Sequence, residues 1–189
     1  MAIATEDLLD RLKIFVGREA EPPRVARYAA NTAMIRNWVE AHEDLNPVYV
    51  DDDAARLTGR WGVICPPAMV STWVMSGLRR YREVQQLRAD GASEQHAYSQ
   101  MLSLLDENGY TSVVATDVEQ TYEQEIATGD RVRCDFTIEA VSDFKYTGLG
   151  HGCWITLLKV YRNQHDHVLV TERFKLLRFD PTKKKETPA

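Results

Sequence analysis

Apolar positions recur at helical spacing through the first half of the chain and alternate in the second. Leu8, Leu12, Phe15 and Val16 share one face of Thr5 to Val16, which predicts a short amphipathic helix that Gly17 can close. Glu21-Pro22-Pro23 breaks that pattern, and beyond it Asn31 can cap a helix whose Met34, Ile35, Trp38 and Val39 form one stripe. Pro47 disfavours helical geometry at Asn46, so Asp44-Leu45-Asn46-Pro47 reads as a turn. Asp51-Asp52-Asp53 then suits the positive end of a short helix finishing near Gly59. After Cys65-Pro66-Pro67, the residues Ala68, Met69, Val70, Trp73, Val74, Met75 and Leu78 are apolar nearly all round, which predicts one central helix buried in the domain. Its charged tail, Arg79 to Glu83, leads to a second helical pattern with Tyr98, Met101, Leu102 and Leu105, stopped by Asn108-Gly109.

From Tyr110 the period becomes two. Val132, Cys134, Phe136 and Ile138 alternate with Arg131, Arg133, Asp135, Thr137 and Glu139, a strand with one buried and one wet face. Trp154 to Tyr161 is apolar on both faces, as in a central strand, and Ser112 to Gln124 and Val168 to Phe179 supply two more. The expectation is an α+β domain, a four-strand antiparallel meander covering one apolar helix. It occupies residues 1–189 as a single unit, with 1–30 an N-terminal extension and 181–189 a disordered tail.

Composition narrows the class. A chain of 189 residues with 44% apolar content can bury a core without disulfides or metal. Charges interrupt every apolar stretch before a membrane-spanning length, and no signal-peptide pattern opens the chain, so no membrane partner and a cytoplasmic location are expected. A net charge of -5 without a basic stripe argues against nucleic acid. Cys65, Cys134 and Cys153 lack zinc or redox spacing and read as buried thiols. No histidine cluster has metal spacing, and Lys183 to Lys185 reads as a solvated terminus.

A resemblance adds chemistry. Glu43-Asp44-Leu45-Asn46-Pro47-Val48-Tyr49-Val50-Asp51, with Ala55 after it, is similar to the signature of MaoC-like and R-specific enoyl-CoA hydratases: Asp-x-Asn-Pro-aliphatic-His, then a small residue six positions on. That family has the hot-dog fold, an antiparallel sheet wrapped around a buried helix. Its aspartate and histidine hold a water that attacks C3 of the enoyl thioester while C2 receives a proton. The chain departs at one position, having Tyr49 where the family has its catalytic histidine. An imidazole near pH 6.5 can take and return a proton, whereas a phenol near pH 10 stays protonated. Asp44 and Tyr49 are therefore the positions of a degenerate dyad.

Val63-Ile64-Cys65-Pro66-Pro67-Ala68-Met69 is the second point of likeness. Catalytic relatives commonly read His-Gly-Met here and use a helix-start amide to polarise the thioester carbonyl. Prolines have no N–H, so the first amide left for that role is Ala68. The third is Lys145-Tyr146-Thr147-Gly148-Leu149-Gly150-His151-Gly152-Cys153-Trp154, which resembles the glycine-rich strand start of FAS1-like dehydratases. Together with residues 113–122 it extends the match over most of 31–180. The likeness is strongest to the N-terminal hot-dog domain of the larger subunit of heteromeric steroid side-chain enoyl-CoA hydratases. Many such subunits continue into a zinc-ribbon and OB-fold region, which is expected to be absent here or encoded separately.

The resemblance implies substrate contacts from Ala68, Met69, Trp73, Tyr122, Gly148 and Gly150. Met69 and Trp73 would face a wide acyl tunnel, and Lys145 and the tail lysines would meet the coenzyme phosphates. The ligand would be an acyl-CoA thioester, with no cofactor besides its CoA. Three readings stay open: a non-catalytic subunit paired with a MaoC-like catalytic partner, a self-sufficient homodimeric hydratase or dehydratase using Asp44, and an acyl-CoA-binding module.

Overall fold

A computed structural model describes residues 4–92 and 94–184. Helix α1 (Thr5–Lys13) buries Leu8 and Leu12, and strand β1 (Glu19–Val25) follows it. In helix α2 (Thr32–His42) the Asn31 side chain accepts from the Met34 amide at 3.0 Å, and Ile35 and Val39 enter the core. Helix α3 (Asp52–Leu57) is capped by Asp51, whose Oδ1 accepts from the Asp53 and Ala54 amides. Helices α4 (Val70–Trp73), α5 (Gly77–Ala89) and α6 (Ala97–Glu107) complete the helical half. The remaining strands are β2 (Ser112–Tyr122), β3 (Arg133–Val141), β4 (Lys145–Thr147), β5 (Gly150–Arg162) and β6 (Val168–Asp180).

Among the described residues they form one six-stranded antiparallel sheet in the order β1-β3-β5-β6-β2, with the short β4 folded back on β5. The four long strands expected from the alternation are present, but they do not form a meander. β2 crosses over to pair with β6, leaving β3 to pair with β5. The sixth strand comes from the expected N-terminal extension. Its Pro22 and Pro23 masked it in the sequence, and they are tolerated because β1 is an edge strand whose register to β3 slips on either side of Glu21.

The predicted central helix over 68–78 is not continuous. Pro67–Met69 forms a 3-10 turn and α4 lasts only four residues. The chain then breaks at Gly77, whose φ of +70° lies in the left-handed region. Val70, Trp73 and Val74 remain buried, whereas Met75 and Leu78 are 75% and 62% exposed and α5 buries nothing. The interior position passes to α6, which lies against β1 and sinks Ala97, Met101, Leu104 and Leu105 into the core. Apolar content alone could not reveal this, because the break depends on a glycine conformation and on which face finds a partner. The arrangement is an α+β hot-dog fold with its buried helix in two pieces and α5 between them. No helix among the described residues is long and apolar enough to cross a membrane.

Leu105→Ala, which empties a fully buried site, is expected to cost about 2–5 kcal/mol in urea unfolding. Leu78→Ala on α5 should change stability by no more than about 0.5 kcal/mol, and equal losses would show that α5 is packed after all. The three cysteines are buried and unpaired, and desolvation pushes each thiol up to about 12. At pH 8 they stay protonated, so the folded protein should resist Ellman's reagent while three thiols per chain titrate in denaturant.

Candidate functional site

Three separate segments meet at one end of the sheet. The first is the turn after α2. Glu43 takes φ +55° to close the helix, and the Asp44 amide donates back to the Val39 carbonyl at 3.0 Å. Asp44 Oδ1 accepts from the Asn46 amide at 3.4 Å, and Asn46 Oδ1 accepts from the Val48 amide at 3.3 Å. Asn46 and Pro47 thereby start the 3-10 turn Pro47–Tyr49, which holds Asp44 and Tyr49 on a short rigid arc, both half-buried.

The second segment is Ile64 to Met69. The Ile64 amide donates to the Val48 carbonyl at 3.2 Å, and the Cys65 amide to the Ile126 carbonyl at 2.8 Å. The Trp73 indole donates to Cys65 Sγ at 3.1 Å, fixing the base of the turn. Ala68 is exposed, and its amide has no acceptor among the described residues. The third segment follows β2. Glu125 receives a bidentate ion pair from Arg60, with Nε 3.0 and 2.9 Å from its two oxygens. A small cavity of about 120 Å³ lies between the second and third segments, lined by Cys65, Pro67, Tyr122, Gln124, Ile126 and Val170.

Burial raises the Tyr49 hydroxyl above its usual pKa, and Asp44, Cys65 and Glu125 push the same way against the opposing Arg60. At neutral pH this phenol is a hydrogen-bond donor and holds its proton. Tyr122, at the cavity rim, is fixed by a chain of polar contacts running into the sheet. Its hydroxyl donates to Gln120 Oε1, Gln120 Nε2 donates to Glu172 at 2.6 Å, and Lys159 pairs with the other oxygen of Glu172 at 2.6 Å.

The structure thus brings Asp44, Tyr49, Ala68 and Tyr122 into one neighbourhood. Met69 and Trp73 adjoin it from beneath, as core residues 1% and 4% exposed in the single chain. Gly148 and Gly150 lie elsewhere. His151 pairs with Asp180 at the far end of β6 while Tyr122 pairs with Val170, so the two ends are about 33 Å apart along the strand. A Cβ on Gly150 would stand 2.2 Å from the Asp180 carbonyl oxygen, so this glycine serves strand contact. Lys145 and the tail share that far end. Lys183 bonds Asp180 at 3.5 Å, Thr182 is held by Asp180, and residues 185–189, with Lys185, lie outside the described residues.

His151 also sits there, 3.1 Å from the Tyr110 hydroxyl and among Phe144 and Tyr146, and burial, then Lys183, lowers its pKa. Among the described residues no group of three or more His, Cys, Asp or Glu side chains could hold a metal ion. The ion pair Arg60–Glu125 has no signal in the sequence. Its partners are 65 residues apart, and neither stands in a motif.

Known proteins share this architecture. The chain is 41% identical over 182 residues to a probable enoyl-CoA hydratase alpha subunit of Thermomonospora curvata, covering 96% of this chain and 55% of that protein. It is 37% identical over 165 residues to the 3-oxo-4,17-pregnadiene-20-carboxyl-CoA hydratase alpha subunit of Mycobacterium tuberculosis, covering 84% of this chain and 48% of that one. The chain therefore spans about half the length of these curated relatives. The crystal structure of the ChsH1–ChsH2 complex from Mycobacterium tuberculosis superposes with a TM-score of 0.76 at 33% identity, over 97% of this chain and 94% of that one. The family model for the FAS1-like dehydratase domain region matches residues 15–172, and the chain belongs to that family, in its MaoC-like hot-dog form.

Proposed function

We propose that this chain is the pocket-shaping hot-dog subunit of a heteromeric enoyl-CoA hydratase, paired with a MaoC-like subunit that carries the full Asp-His dyad. The observation that carries this reading is Tyr49, a half-buried phenol with a raised pKa at the position of the family's base. Adding water to an enoyl thioester requires a group that removes a proton from water near pH 7, and a protonated phenol does not. The names of the relatives, hydratase alpha subunits in both cases, and the two-component complex that the fold matches support the same reading. The reaction is redox-neutral and takes its atoms from water, so the CoA of the substrate is the only cofactor in the proposal.

The bulky, steroid-like acyl group is supported by the broken helix. Where α5 leaves the interior, a groove of about 800 Å³ opens between β1 and α5, with Val25, Val74, Met75 and Val84 on its walls beside the charged Glu21, Arg24, Arg27, Arg80, Arg88 and Glu94, so its size rather than its polarity is what suits a large acyl-CoA. That lies at the upper end of the ordinary range for ligand pockets. Pairing is supported by β2, whose residues are all exposed or half-buried along an unpaired edge. Its register sets Val118 and Tyr122 beside Phe174 and Val170 on the helix-facing side, an apolar stripe that a partner would cover.

Hydration of a steroid side-chain enoyl-CoA is expected only when the purified chain is mixed with a MaoC-like subunit. Asp44→Asn in this chain should leave the mixture's rate within about twofold. Activity of the chain alone, lost by about 10²-fold or more in Asp44→Asn, would overturn the proposal and make Asp44 a catalytic residue.

A further inference from the structure

The β2 edge is chemically one-sided. Residues 112–126 carry Asp117, Glu119, Glu123 and Glu125 and neither Lys nor Arg. All four acids are exposed. Glu125 is taken by Arg60. Asp117 stands opposite Lys175 and Glu119 opposite Arg173 on β6, but Arg173 turns to Glu139 at 2.9 Å. Among the described residues no cation bonds Glu119. Gln120 and Tyr122 face the helices, so the alternation places Asp117 and Glu119 together on the outer face of the edge. An antiparallel pairing of β2 with β2 of a second copy would bring both pairs of carboxylates onto one face, where like charges in register are destabilising.

We infer that β2 is a charge-selective docking edge that rejects a second copy of this chain. Its occupant is the edge strand of a different chain, with Lys or Arg opposite Asp117 and Glu119. The inference rests on the heteromeric reading above and specifies the chemistry of that partner. The apolar stripe of Val113, Val118 and Tyr122 supplies area without regard to identity, and the acids supply the choice.

Sedimentation at low salt tests it, using the wild-type chain, Asp117→Asn/Glu119→Gln and Asp117→Lys/Glu119→Lys, each checked for folding by circular dichroism. The neutral variant should self-associate about tenfold more tightly than wild type, and the gap should close as salt screens the charges. Native mass spectrometry of wild type mixed with the lysine variant should show the mixed dimer in excess of either homodimer. Equal association of all three chains, a statistical mixture, or no association in any combination would overturn the inference. Those outcomes are read without substrate. A charge-blind edge leaves the hydratase assay free to succeed, and a failed hydratase assay leaves the pairing data intact.

Discussion

The site hangs from Cys65. Its amide donates to Ile126, its sulfur accepts the Trp73 indole, and the neighbouring Ile64 amide reaches Val48. Three stretches that are remote in sequence, around residues 48, 65 and 126, are thereby locked to one another by backbone bonds whose geometry side-chain substitution hardly alters. Two prolines follow at once, so the chain leaves the anchor in a fixed direction with few free donors. Loss of the indole contact would leave a polar N–H in an apolar interior, a cost of about 1–3 kcal/mol. The position of Tyr49 against Asp44 and Arg60 depends on this anchor as much as on its own turn.

A polar line runs from the exposed edge of the sheet to the buried Glu172. Lys159, Glu172, Gln120 and Tyr122 come from three adjacent strands and are linked by hydrogen bonds, with Lys159 also 4.4 Å from the Phe174 ring centroid. Glu172 is 4% exposed, so its charge is tolerable only because both oxygens are occupied. The line couples the exposed strand β2 to the interior. Removing Lys159 or Gln120 would leave one oxygen of the buried Glu172 unsatisfied.

Much of this was legible in sequence where the cause is local. The alternation around Cys134 and Ile138, the Asn31 cap and the Asn46-Pro47 turn each act within a few residues, and each is found where expected. β1 was not legible, because Pro22 and Pro23 are acceptable only on a sheet edge and edge position is a property of the whole sheet. The break before α5 was hidden in the same way: Met75 and Leu78 are as apolar as core residues, yet no surface among the described residues covers them. Gly148 and Gly150 lie in a stretch that resembles the family, but Gly150 answers to the approach of β6. The Arg60–Glu125 pair left no trace at all, since a contact across 65 residues has no period.

The pairing of β1 with β3 has a further consequence for how the molecule is made. Glu19 finds its partner at Thr137, and the central β5 and β6 come later still. Contacts so distant in sequence make folding slow, because the loop must be closed before the ladder stabilises it. At roughly 5–20 residues per second the ribosome delivers β3 on the order of ten seconds after β1. Throughout that interval the newborn chain holds a proline-rich strand with nothing to pair to, and the prolines that obscured it in the sequence also keep it from pairing wrongly.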